Sequence, residues 1–187
     1  GGRGVMPYQP PNIWEPVGFA SSNTRNYKQG KGEDLYRRSI YTFLKRTAPA
    51  PFMASFDAPN REQSCAVRSR TNTPMQALQL MNDIQHVEAA RNLAQRILKE
   101  GGKKDDDRIR WAWRVVTARW PATEESKILQ STLDEHRMRF TKDTEAAKKL
   151  IAFGESKADP KVKAEELAAW TLTANLLLNL DEVANKN

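Results

Sequence analysis

Apolar residues recur at helical spacing through the second half of the chain and lose that spacing in the first. Thr73-Pro74 predicts a helix start, with threonine as the cap and proline at the first helical position. Met75, Leu78 and Met81 give that helix its apolar positions. Asn82-Asp83 predicts a break, with Asp83 as a fresh cap. Val87, Ala90, Leu93, Ala94, Ile97 and Leu98 then continue to a Gly101-Gly102 stop. A further helix is expected over about 106–118, with Ile109, Trp113 and Val116 on one stripe, closed by Trp120-Pro121. Thr123-Glu124-Glu125-Ser126 opens the next, reaching about Phe140 with Ile128, Leu129, Leu133 and Met138. A short helix at about 143–152 and a last one over about 162–183 complete the pattern. Leu167, Trp170, Ala174, Leu177 and Leu178 of the last face inward.

The first half is cut up by proline and glycine: eight of ten prolines and six of nine glycines fall within residues 1–74. Pro7-Tyr8-Gln9-Pro10-Pro11 cannot be regular helix, because its prolines lack donors and push their neighbours to extended geometry. An extended arm anchored by Tyr8 and Trp14, lying on another surface, is expected there. One helix is expected over 33–46, acidic at its start and Lys45-Arg46 at its end, with Tyr36, Ile40, Phe43 and Leu44 on one stripe. Residues 47–73 form a long connection with little periodicity. These signals describe an all-α protein. It would be an irregular bundle of about six helices (74–187) behind a loop-rich, Pro/Gly-rich portion (1–73), together one continuous fragment of a larger protein.

Charge changes this picture only in the first half. Residues 1–100 carry 14 Lys+Arg against 8 Asp+Glu, and residues 101–187 carry 16 against 15, within a net +7. The excess suggests an anionic partner or a buried arginine network in the first half. No apolar run approaches the roughly 20 residues of a membrane span. The chain opens Gly1-Gly2-Arg3-Gly4 without a signal-peptide pattern and reads as a fragment whose upstream part precedes it. Without a Cys-x-x-Cys-His run, no c-type haem attaches to this segment.

Arg37, Arg38, Arg46, Arg61, Arg68 and Arg70 are the candidate constellation. Guanidinium suits bidentate pairing with carboxylate, sulfate or phosphate. One reading is an anion site for an acidic or sulfated polysaccharide. The favoured reading is structural: the arginines pin irregular loops by binding carbonyls and Asp34, Asp57 and Glu62, because loop backbone must find partners. Asp57 and Glu62 are the weak candidates for general acid/base work. Cys65 reads as a buried structural thiol without a partner. His86 and His136 lie far apart on expected helices, and no ligand spacing for a metal is present. Nucleic-acid binding, suggested by a pI near 9.6, finds no helix-turn-helix, zinc-finger or RNA-binding signature.

The strings Pro7-Tyr8-Gln9-Pro10, Gly32-Glu33-Asp34-Leu35-Tyr36-Arg37-Arg38-Ser39, Lys45-Arg46-Thr47, Phe56-Asp57-Ala58-Pro59, Arg70-Thr71-Asn72-Thr73-Pro74-Met75-Gln76-Ala77-Leu78 and Leu177-Leu178-Asn179-Leu180-Asp181-Glu182 together set up a resemblance. The chain resembles the planctomycete-type C-terminal domain of unknown function 1553, found in large exported, cytochrome c-associated proteins. That resemblance implies a periplasmic or cell-surface parent, an upstream domain as partner, and a c-type haem carried upstream. It also implies that the chain ends near the parent's own C-terminus. It supplies no activity. It marks Arg37-Arg38, Asp57 and Arg70 to Pro74 as defining segments. Ile84 stands where the family has proline, which weakens the case for a full helix restart after Asn82. The expected role is therefore a non-catalytic module that completes or supports a site with the upstream domain. The alternatives are part of an extracellular enzyme acting on acidic or sulfated polysaccharide, and a nucleic-acid binder.

Overall fold

Helices fill the second half of the chain, as the apolar spacing requires. The computed structural model describes residues 2–60 and 62–184. Among the described residues there are eight α-helices and no strand: α1 (Pro51–Ser55), α2 (Pro74–Asn82), α3 (Ile84–Glu100), α4 (Asp105–Thr117), α5 (Thr123–Lys142), α6 (Thr144–Ile151), α7 (Ala164–Leu178) and α8 (Asp181–Ala184). The protein is all-α, an irregular helical bundle. It divides into two compact units, Gly1–Gln79 and Leu80–Asn187.

In the second unit, α7 is the central helix. Its Leu167, Ala168, Ala169, Trp170, Thr171, Thr173, Ala174 and Leu177 are all buried, so it is enclosed on nearly every side by α3, α5, α6 and α4. Ala90 and Ala94 of α3 let the backbones approach, and Ile97, Ile109, Trp113, Leu129, Leu133 and Phe140 complete the core. Each large apolar side chain buried here stabilises the unit by roughly 1.5–3 kcal/mol. The buried hydroxyls and the indole of α7 are satisfied locally. Thr171 and Thr173 donate to Leu167 O at 2.7 Å and Ala169 O at 3.0 Å, and Trp170 Nε1 donates to Glu166 Oε1 at 2.9 Å.

The boundaries follow the expected caps. Asp83 Oδ1 accepts the Gln85 N–H at 2.9 Å, so α3 restarts fully at Ile84 without a proline. Gly101 closes α3, and Glu125 Oε2 accepts the Ala122 N–H at 2.7 Å at the head of α5. Two details differ. The last helix ends at Leu178, and a separate short α8 follows. On α5 the inward stripe is Leu129, Leu133 and Phe140, which leaves Ile128 and Met138 exposed.

In the first unit the helix expected over 33–46 does not form. Two short 3-10 turns, Gly32–Tyr36 and Ser39–Tyr41, stand in its place. Backbone pairing is the reason: Val5 N donates to Tyr41 O at 2.8 Å and Phe43 N donates to Val5 O at 2.9 Å, which requires extended chain at Thr42. The β-branched Ile40 and Thr42 offer little helical resistance. Leu35, not Tyr36 or Ile40, is the buried apolar residue of this stretch. The proline arm is fixed within the same unit. Gly30 N donates to Met6 O at 2.7 Å and the Tyr27 hydroxyl donates to Pro7 O. Trp14 is buried edge-on to Tyr27, ring centroids 4.8 Å apart, and beside Phe43 at 5.6 Å. Burial pushes the Tyr27 phenol up to about 12. Sequence reading did not foresee α1.

Candidate functional site

The segment from α1 to the head of α2 brings the candidate Asp57 into a hydrogen-bonded corner. Pro51 opens α1, Phe52 and Phe56 stack along it at 4.6 Å, and the chain turns at Asp57 with φ +55°. Aspartate is one of the few non-glycine residues that visit this left-handed region readily. The turn aims its carboxylate at Thr71: Oδ2 accepts the Thr71 N–H at 2.8 Å and the Thr71 hydroxyl at 2.7 Å. Those two bonds, with the nearby Arg68 charge adding less, hold the Asp57 carboxyl below the usual range.

Gln76 carries the chain of bonds inward. It is buried, and its Nε2 donates to Thr71 Oγ1 at 3.0 Å and to Ser55 O at 2.8 Å. Its Oε1 accepts the Thr73 N–H at 3.0 Å while Thr73 Oγ1 accepts the Gln76 N–H at 3.3 Å. That reciprocal pair is a capping box, and its signature (threonine with glutamine three residues on) was present in Thr73-Pro74-Met75-Gln76. Gln76 is the residue that sequence reasoning missed. Met75, Leu78 and Met81, expected as the apolar stripe of α2, are exposed instead.

The arginines do not gather around Asp57 as loop pins. Arg37 Nη1 donates to Arg3 O at 3.2 Å, and its guanidinium lies 3.9 Å from the Tyr41 ring centre. Arg3, not a candidate arginine, pairs with Asp34 at 3.3 Å. Arg38, Arg46 and Arg70 are exposed, and none of their guanidinium groups makes a hydrogen bond or ion pair among the described residues. Arg68 acts on Asp57 only through its charge. Arg61 lies outside the described residues. Glu62 is exposed, and its N–H is held by Asn60 Oδ1 at 3.0 Å. The loop is therefore tied by turns, Asp57, Thr71 and Gln76, whose short side chains reach the backbone at lower entropic cost than arginine.

Cys65 is exposed rather than buried, because the whole stretch from Glu62 to Arg70 lies on the surface. His136 is half-buried with Nδ1 3.3 Å from Thr173 Oγ1, and burial holds its imidazole below the usual range. Among the described residues no three His, Cys, Asp or Glu side chains converge as a metal ion requires. None of the described helices is long and apolar enough to cross a membrane.

The class defined by this fold is an all-α protein that pairs a loop-rich, arginine-bearing unit with a helical one. The model of the family described as PSD1, protein of unknown function (DUF1553), matches residues 1–133, and the chain belongs to that family. No curated protein and no solved structure matches it.

Proposed function

We propose that this chain is a non-catalytic module of a larger exported, cytochrome-associated protein, and that its first unit docks on the parent's upstream domain. One observation carries the reading. Of the described residues before Leu80, six are buried (Val5, Trp14, Leu35, Thr42, Ala50 and Gln76), while Phe19, Ile40 and Val67 stand 85, 72 and 87 % exposed and the guanidinium groups of Arg38, Arg46 and Arg70 are exposed and unpaired. Large exposed apolar side chains among free guanidinium groups are the composition of an interface waiting for a partner. The partner is the upstream domain. The parent is periplasmic or on the cell surface, with any c-type haem carried upstream.

The reading as an enzyme on acidic or sulfated polysaccharide has less support. Asp57 is engaged by Thr71 and stays ionised at neutral pH, so it has no proton to give, and no hydrogen bond joins it to Glu62 among the described residues. A nucleic-acid binder would lose affinity steeply with salt.

Calorimetry with the separately produced upstream part of the parent tests the proposal. Saturable binding is expected, weakened at least tenfold by Ile40→Ser with Val67→Ser and made weaker and less salt-dependent by Arg70→Gln. Absence of binding, or binding indifferent to these changes, overturns it.

A further inference from the structure

A second arrangement lies wholly within the helical unit and is independent of the docking proposal. The end of α3, the outer face of α4 and the turn before α5 enclose an open groove of about 410 Å³. Its walls include Glu100, Asp107, Arg110, Trp111, Arg114 and Trp120. Asp107, Arg110, Trp111 and Arg114 recur at helical spacing along α4, so one face of that helix presents acid, guanidinium and indole together.

The two tryptophans differ from the others of the chain. Trp14, Trp113 and Trp170 are buried, whereas Trp111 is only half-buried and Trp120 is 58 % exposed. Trp120 has guanidinium groups on either turn of α4 beside it: Arg110 Cζ lies 5.5 Å and Arg114 Cζ 5.4 Å from its ring centre. Arg96 Cζ lies 5.4 Å from the Trp111 ring. The charges are not neutralised evenly. Arg96 takes Glu100 through two bonds, at 3.1 and 3.3 Å, and Arg114 Nη1 donates to Ala118 O. Arg110, Arg114 and Asp107 make no ion pair among the described residues, and Arg114 alone of the three spends a side-chain hydrogen bond, on a neutral backbone carbonyl. An exposed indole beside two guanidinium groups without a carboxylate partner and one free carboxylate is therefore what the groove offers a ligand.

We propose that this groove binds an oligosaccharide of uronic acids. The axial C–H face of a pyranose carries slight positive charge and lies flat on the negative face of an indole. The sugar carboxylate meets Arg110 bidentately, and Asp107 accepts ring hydroxyls. One acid group per ring suffices for Arg110, the groove guanidinium that no hydrogen bond engages, with the Arg114 charge adding to it. A densely sulfated chain meets repulsion from Asp107, and an acidic peptide lacks a flat apolar face for Trp120.

The test is calorimetry of this chain with a hexamer of galacturonic acid, against a neutral hexamer, a sulfated hexamer and a glutamate hexamer. The uronate is expected to bind with a dissociation constant in roughly the micromolar to millimolar range and the other three more weakly. Trp120→Ala is expected to weaken uronate binding at least tenfold. Arg110→Gln is expected to bring the uronate down to the level of the neutral sugar, which Trp120→Ala alone does not do selectively. Both positions are exposed, and unchanged helicity and melting confirm that each variant folds. No uronate binding at millimolar concentration, tighter binding of any other hexamer, or unchanged affinity in Trp120→Ala overturns the proposal.

Discussion

The Asp57 carboxylate and Thr71, 14 positions apart in the sequence, are joined twice, through the Thr71 N–H at 2.8 Å and its hydroxyl at 2.7 Å. Closing the loop between them is the work of this pair and of Gln76 behind it. Asp57→Ala removes both acceptors and leaves an alanine at φ +55°, a conformation it resists. Hydrogen exchange at the Thr71 amide is expected to accelerate at least tenfold in Asp57→Ala and less in Asp57→Asn, whose amide oxygen still accepts. Equal exchange in all three proteins removes the staple from the account.

Glu88 and Arg91 form the most committed charged pair of the helical unit. Both are fully buried on α3, one turn apart, at 3.3 Å. Arg91 also donates to Ile151 O and Phe153 O at 2.7 Å and to Ser156 O at 2.6 Å, while Glu88 Oε1 accepts the Ser156 N–H at 2.6 Å. The pair thus anchors the loop after α6. Arg91→Met leaves Glu88 buried without its cation and is expected to cost about 3–5 kcal/mol in urea unfolding. Gly154→Ala is expected to destabilise as well, because its φ is +88° and an added Cβ would lie 2.2 Å from the Glu88 carboxyl.

Glu125 gives the chain a readable acid limb. Arg119 donates to both its oxygens at 2.8 and 2.7 Å, and with the Ala122 N–H this holds its carboxyl down to about 2. The folded state thus favours the ionised form more than the unfolded state does. Its contribution is complete above the ordinary carboxylate range and is lost as pH falls toward about 2. Glu125→Gln is expected to lower stability at pH 7 and to shrink the difference in urea midpoint between pH 7 and pH 3. An unchanged difference contradicts the assignment.

Ala118 caps α4 in the left-handed conformation, φ +62°, with its N–H on Arg114 O at 3.0 Å. An L-residue there costs roughly 1–2 kcal/mol, part of which glycine recovers against its greater freedom when unfolded. Ala118→Gly is expected to stabilise by about 0.5–1 kcal/mol, read from the urea midpoint at constant slope.

The helical unit was legible because its signals are local. Asp83, Gly101 and the charge-free run of α7 each act within a turn of where they stand. The first unit was not, because its geometry comes from distant pairing. Nothing near Thr42 announces that Val5 will bond on both sides of it, and that pairing displaces the helix that Glu33 to Arg46 suggested. The candidate site was half legible. Asp57 stood out by composition, but its partner Thr71 and the buried Gln76 follow from a capping box that composition hides. The arginines misled because guanidinium serves scaffold and interface equally well. Only the exposure of Arg38, Arg46 and Arg70 separates the two.

Hydrogen exchange of this chain alone against the full-length parent tests the docking of the first unit most directly. The amides between residues 36 and 43 and between 62 and 70 are expected to slow at least tenfold in the parent, with α3 to α7 unchanged. Identical exchange over those two stretches in the chain and in its parent contradicts the account.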